Sequence, residues 1–150
     1  MATRRVLVVD DEAEVRKALG DILRAMRYSD PVEVEEAADG QAGLDAVIRR
    51  RLDLILLDLH MPRMSGLTLL KHIRDVETRV PIIVVSATED SKVAAEALRS
   101  GAVAYLPKPF DPRHVETLVA TFFDSATRRE TSRTRRAETR ARHARSACAR

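Results

Sequence analysis

Five polar residues carry most of the chemistry this sequence offers. Asp10 and Asp11 end one apolar run, Asp58 ends a second, Ser86 a third, and Lys108 follows a fourth. Crowded carboxylates repel one another, so such a group gains by holding a cation. Oxygen donors without a Cys or His cluster favour a hard ion, Mg2+ before Zn2+. A carboxylate beside such an ion can attack phosphorus and become an acyl phosphate. The transferring group needs its oxygens neutralised, a task that Mg2+ and Lys108 would share while the Ser86 hydroxyl donates a hydrogen bond. Each residue alone has a plainer reading: Asp10 and Asp11 as a helix N-cap, Asp58 as a strand end, Ser86 as a turn residue, Lys108 as a solvated lysine. Their joint placement at strand ends favours one site.

The elements that must position them follow from the apolar spacing. Residues 6–9, 52–59, 82–85 and 103–106 form short apolar runs that read as strands, and the first three have the continuous character of buried parallel strands. Residues 32–35 alternate as an edge strand does. Val15, Ala18, Leu19, Ile22, Leu23 and Met26 recur at helical spacing, and so do Leu44, Val47 and Ile48, then Leu67, Leu70 and Ile73. Val93, Ala94, Ala97 and Leu98 make a fourth face, closed by Gly101 as a C-cap. Val115, Leu118, Val119, Phe122 and Phe123 stripe a fifth. Asp39-Gly40 reads as a turn, and Pro62 and Ser65-Gly66 punctuate the loop after Asp58. Strand and helix thus alternate five times, which implies an α/β fold: a doubly wound parallel sheet with helices on both faces. Ligands of such sheets bind beyond the carboxyl ends of the strands, where all five polar residues fall.

The bulk properties narrow the class. The 150 residues suffice for one domain, and no run approaches a membrane span. The N-terminus lacks the apolar stretch of a signal peptide, and Cys148 is the only cysteine, so a reducing cytoplasmic setting is expected. The net charge of +3 is unevenly spread. Residues 125–150 hold nine Arg against two Glu, a balance of +7, whereas residues 1–124 hold 17 basic against 21 acidic residues, a balance of −4. After Phe123 there is no Val, Ile, Leu, Met or aromatic residue, so residues 125–150 cannot build a core. They read as a disordered Arg-rich tail or an exposed extension of the last helix, behind a domain at 1–124. A solvated extension is the favoured reading over an electrostatic contact with nucleic acid, anionic lipid or an acidic partner, and with no aromatic for base stacking any nucleic-acid binding would be backbone-driven and salt-sensitive.

Four motifs together resemble the receiver domain of two-component response regulators: Val8-Val9-Asp10-Asp11, Leu57-Asp58-Leu59-His60-Met61-Pro62 with Gly66, Val85-Ser86-Ala87, and Lys108-Pro109-Phe110. The likeness runs from about residue 4 to residue 124. It implies a flavodoxin-like sheet in order 2-1-3-4-5. It implies that Asp58 accepts phosphate from a histidine kinase or a histidine phosphotransfer protein. Asp10 and Asp11 match the metal-holding pair, Asp11 and Asp58 being direct Mg2+ ligands with the His60 backbone carbonyl. Lys108 matches the family lysine, with a cis peptide to Pro109. Ser86 and Tyr105 match the switch pair, through which phosphorylation reshapes the face of the fourth helix, fifth strand and fifth helix for a downstream effector. His60 and Thr88 fall where the family tunes phosphate lifetime.

Two other classes compete. A phosphohydrolase of the haloacid-dehalogenase type also uses a strand-end Asp, Mg2+ and a Lys, but needs a second Asp two residues on, where this chain has His60. A nucleotide-binding module would show G-x-G-x-x-G or G-x-x-x-x-G-K-[ST], and neither is present.

Overall fold

A computed structural model describes residues 3–27, 30–77, 79–87 and 91–147, with side chains for all of these except 124–134 and 146–147. Thr88 and Cys148 lie outside the described residues. The chain alternates β1 (Arg4–Val9), α1 (Ala13–Ala25), β2 (Val32–Ala37), α2 (Gly40–Arg49), β3 (Leu54–Leu57), α3 (Gly66–Val76), β4 (Ile82–Ser86), α4 (Ser91–Arg99), β5 (Ala104–Pro107) and α5 (Pro112–Ala147). The five strands form one parallel sheet in the order β2-β1-β3-β4-β5.

The period of two along each strand sorts the core into two layers. Leu7, Val9, Ile55, Leu57, Ile82 and Val84 face α2, α3 and α4, meeting Ala46, Leu69, Leu70, Ile73 and Ala97. Val6, Val8, Leu54, Leu56, Ile83 and Val85 face the other way, against Leu19 and Leu23 of α1 and Val115, Val119 and Phe123 of α5. Because the central strands are buried on both faces, their sequences run apolar without alternation. Only edge strand β2 mixes Glu33, Glu35 and Glu36 with its apolar residues.

Two helix faces differ from the sequence expectation. α2 turns Gly43 and Ala46 to the sheet, and Ile48 is 66% exposed. A Cβ on Gly43 would come within 3.2 Å of Val9 Cγ2 and of Leu69 Cδ2, so α2 sits close and small residues mark its buried stripe. Ile48, two residues past Ala46, points away. In α4 the buried centre is Ala97, and Leu98, one residue on, is 46% exposed. The Asp39-Gly40 pair proves to be a helix start: Asp39 accepts from Ala42 N at 2.8 Å as the N-cap of α2. Gly101 closes α4 as expected. It has φ +114°, its N–H reaches Leu98 O at 3.2 Å, and Ala102 N reaches Ala97 O at 3.0 Å, the paired bonds of a Schellman cap.

Candidate functional site

Sheet register places the acidic residues. Val9 pairs with Leu57, so the next residues, Asp10 and Asp58, emerge together from adjacent strands. The sheet ladder continues through them: Asp10 N donates to Ala37 O at 3.1 Å and Asp58 N to Val9 O at 2.9 Å. Both side chains are therefore held at the carboxyl edge with little room to swing, at 1% and 3% exposure. From the far strand Lys108 N donates to Ser86 O at 2.9 Å, which fixes the start of the lysine stem. The Lys108–Pro109 peptide is cis.

The Lys108 ammonium closes the site. It donates to Asp10 Oδ2 at 2.7 Å and lies 3.6 Å from Asp58 Oδ2 and 3.9 Å from Glu12 Oε1. The other carboxylate oxygens take backbone donors: Glu12 N reaches Asp10 Oδ1 at 2.9 Å, and His60 N reaches Asp58 Oδ1 at 3.2 Å. Asp10 thus also organises its own loop, two residues on, in the manner of an Asx turn. The N-cap of α1 is Glu12, whose side chain makes no capping bond, so the pair Asp10-Asp11 is not spent on capping. Gly66 is what lets α3 begin so near Asp58. A Cβ there would run into the Asp58 carbonyl oxygen and stand 2.6 Å from Leu59 Cα.

The charges act on one another. Burial raises the Asp58 carboxyl above its ordinary 3.8; the His60 N–H opposes this, the Asp10 carboxylate adds to it, Lys108 opposes, and Asp11 adds further. For Lys108 burial works downward, but the hydrogen bond to Asp10 and the negative charges of Asp58, Asp10 and Glu12 outweigh it, and the ammonium is held above its ordinary 10.5. The site therefore carries more acid than base, an imbalance a divalent cation would relieve.

The donor chemistry fits such an ion. Asp10, Asp11 and Glu12 each bring a carboxylate oxygen within 4.8 Å of the others, Asp10 buried and the other two exposed. All three donors are oxygen, the set that suits Mg2+. Glu12 is a residue the strand-end reasoning overlooks; its only signal is that it extends the acidic run. Arg16 is another. Its Nη1 donates to the Asp10 carbonyl at 2.7 Å while Nε pairs with Glu36 at 3.4 Å, tying the β1–α1 loop to β2. Nothing local in the sequence announces that contact.

The remaining candidates lie around this centre. Ser86 is wholly buried at the end of β4. Its carbonyl also accepts from the hydroxyl of Tyr105 at 3.1 Å. The Tyr105 ring is half-buried against the α3–α4 side of the core, and burial raises its phenol above the ordinary 10.0. His60 offers its backbone N–H to Asp58 while its ring is exposed. Among the described residues, then, Asp10, Asp58 and Lys108 form the contact centre. Asp11 flanks it beside Asp10 and Glu12, Ser86 ends the neighbouring strand β4, and Tyr105 reaches Ser86 from within β5.

This arrangement defines a class. A family profile for the response regulator receiver domain matches residues 6–120. Over 118 residues the chain is 36% identical to the regulatory protein AtoC of Escherichia coli, covering 79% of this chain and 25% of that protein. Over 106 residues it is 40% identical to the response regulator MprA of a Mycobacterium species, covering 71% of this chain and 44% of that one. Among solved structures, a CheY-like receiver domain protein from Methanospirillum hungatei aligns with a TM-score of 0.79 at 27% identity, over 85% of this chain and 99% of that chain. The chain belongs to the response regulator receiver-domain family of two-component signalling. It spans less than half the length of the two curated relatives and nearly all of the solved receiver. Receiver domains bind Mg2+ at their acidic site, and response regulators work with histidine kinases and effector domains. The family is generally regulatory rather than enzymatic. No helix among the described residues is long and apolar enough to cross a membrane.

Proposed function

We propose that this chain is a phosphoryl-accepting switch of a two-component phosphorelay, and that Asp58 takes the phosphate. The observation that carries this reading is the Lys108 ammonium reaching two buried strand-end carboxylates, at 2.7 Å from Asp10 and 3.6 Å from Asp58. An Asp58 oxygen attacks the phosphorus of a phosphohistidine on a kinase or phosphotransfer protein. The new P–O bond forms as the P–N bond breaks, and the leaving imidazole takes up a proton. Lys108 supplies a fixed positive charge for the phosphoryl oxygens, and Ser86 supplies a hydroxyl donor at the next strand end.

Asp10, Asp11 and Asp58, with the His60 carbonyl, would hold Mg2+, and Glu12 stands near enough to Asp10 to join them. The bound ion supplies charge neutralisation at the phosphoryl oxygens. Phosphorylation adds roughly −2 of charge to a site already rich in acid. The Tyr105 hydroxyl donates to the main-chain carbonyl of Ser86, so a shift of the Ser86 backbone toward the phosphate disturbs that bond. That couples the site to the surface of α4, β5 and α5, where a protein effector docks. His60 and Thr88 set the lifetime of the acyl phosphate. With His60 two residues past the acceptor, in place of an acid, the chain serves as phosphoacceptor in the cytoplasm rather than as a phosphatase of outside substrates.

Incubation with acetyl phosphate and Mg2+, followed by intact mass, tests the reading. One added phosphate on the wild type and none on Asp58→Asn is expected. An unmodified wild type, or equal labelling of Asp58→Asn, would overturn it.

A further inference from the structure

The last helix outruns the domain it covers. α5 packs on the sheet through Val115, Val119 and Phe123, yet it continues to Ala147, a helix of 36 residues. Every residue from 135 to 145 is exposed. Helices in proteins gain most of their stability from a buried apolar face, and this stretch has none. Its side chains are all presented outward.

The sequence of this stretch repeats every seven residues. Arg-Arg-Glu-Thr-Ser-Arg-Thr at 128–134 is followed by Arg-Arg-Ala-Glu-Thr-Arg-Ala at 135–141, then by Arg-His-Ala-Arg at 142–145. Seven residues make nearly two helical turns, so a seven-residue repeat keeps its members on one side, with a drift of about 20° per repeat. Arg135 and Arg142 fall in line, and Arg136 and Arg140 stand one turn apart beside them. These four occupy roughly 160° of the helix circumference at 3.6 residues per turn, and Glu138 falls outside that arc. Each repeat advances roughly 10 Å along the axis. The extension therefore gathers four of the five exposed arginines of residues 135–145 on one side, along roughly 10 Å of axis, while Arg145 falls on the Glu138 side.

The composition chooses among polyanions. A protein interface needs an apolar centre, and an inserting membrane helix needs an apolar face. No Val, Ile, Leu, Met or aromatic residue follows Phe123 to supply either. Residues 125–150 hold nine Arg and no Lys. The planar guanidinium fork matches phosphate oxygens two at a time. A helix about 10–12 Å across with its side chains also fits the major groove of B-form DNA, about 12 Å wide. We propose that the arginine-striped extension of α5 is a sequence-independent binding surface for the phosphate backbone of duplex nucleic acid. This inference stands apart from the role given to Asp58.

Fluorescence anisotropy with two unrelated labelled duplexes tests it, using the full chain throughout. Both duplexes should bind alike, and the affinity should fall with salt at a log–log slope of about −4 to −7, as expected for four to eight neutralised phosphates. The variant Arg135→Gln/Arg136→Gln/Arg140→Gln/Arg142→Gln should lose at least about 100-fold at 50 mM salt while keeping the wild-type Tm. Ala137→Pro keeps every arginine but interrupts the helix, and should cost about 10-fold, in line with removal of part of the aligned row. Vesicles containing phosphatidylserine should bind more weakly than either duplex. The proposal is overturned by absence of duplex binding at 50 mM salt, by a fourfold variant that binds within about threefold of wild type, by an Ala137→Pro variant that binds as tightly as wild type, or by vesicles that bind better than the duplexes.

Discussion

Lys108 Nζ lies 2.7 Å from Asp10 Oδ2, so a lysine beyond β5 directly bonds an aspartate at the end of β1, 98 residues away in sequence. The side chains of both are largely shielded from water, at 12% and 2% exposure. A paired charge in that setting is costly to orphan. Lys108→Ala should therefore destabilise the metal-free protein by about 3 kcal/mol. It should also enlarge the Tm gain produced by Mg2+, because Asp10 Oδ2 is freed from a competing cation. Thermal melts with and without Mg2+ check both; a smaller Mg2+ effect in the variant would contradict this picture of the site.

The raised Asp58 pKa carries a pH signature. Because the folded state holds that proton more tightly than the unfolded chain, ionised Asp58 costs stability, and the cost appears as pH rises from about 3.8 through the raised folded value. Asp58→Asn removes the cost and still offers an acceptor to His60 N. At neutral pH without Mg2+ the variant should melt higher than wild type, and the gain should shrink as pH falls toward 3.8. A gain that holds constant across that range would mean burial is not its source.

Gly66 separates two functions of the loop after β3, starting α3 and leaving room for the Asp58 backbone. Gly66→Ala pushes a Cβ against the Asp58 carbonyl and Leu59 Cα, and the neighbours are backbone that cannot rotate aside. The expected loss is about 3 kcal/mol in urea unfolding. A loss below 1 kcal/mol would show that α3 can shift away freely.

Arg74 is a clamp of a different kind. Its Nη2 and Nε donate to Gly101 O at 2.7 and 3.2 Å, and its Nη1 donates to Val80 O at 2.7 Å, joining the end of α3 to the turns before β4 and after α4. Arg74→Ala should cost about 2 kcal/mol, since it strips charged donors from buried-side carbonyls. Arg74→Lys should recover less than half, because one ammonium cannot reproduce the fork. Full recovery by lysine would reduce the clamp to a matter of charge.

Which parts of this were legible in the sequence follows from locality. A buried parallel strand writes itself as an unbroken apolar run, so the polar residue that ends it is visible, and Asp10, Asp58 and Ser86 are found this way. The sheet order came from the resemblance rather than from any spacing. Residues whose partners are distant in sequence were not visible. Arg16 on Glu36, Arg74 on Gly101 and the proximity of Glu12 to Lys108 exist only once the chain is folded. The faces of α2 and α4 misled for a related reason: apolar periodicity weights large residues, whereas close packing of helix on sheet selects Gly43, Ala46 and Ala97. The seven-residue recurrence of arginine was in plain sight, but it gains meaning only on a continuous helix.

The central claim is that one particular side chain becomes an acyl phosphate, and it can be read at a single position. Treating the acetyl phosphate-modified protein with borohydride reduces an aspartyl phosphate to homoserine, and peptide sequencing by mass then locates it. The account predicts homoserine at position 58 only, dependent on Mg2+ and lost in Lys108→Ala. Homoserine at position 10 or 11, or none at 58 in a protein that has gained phosphate, would contradict it.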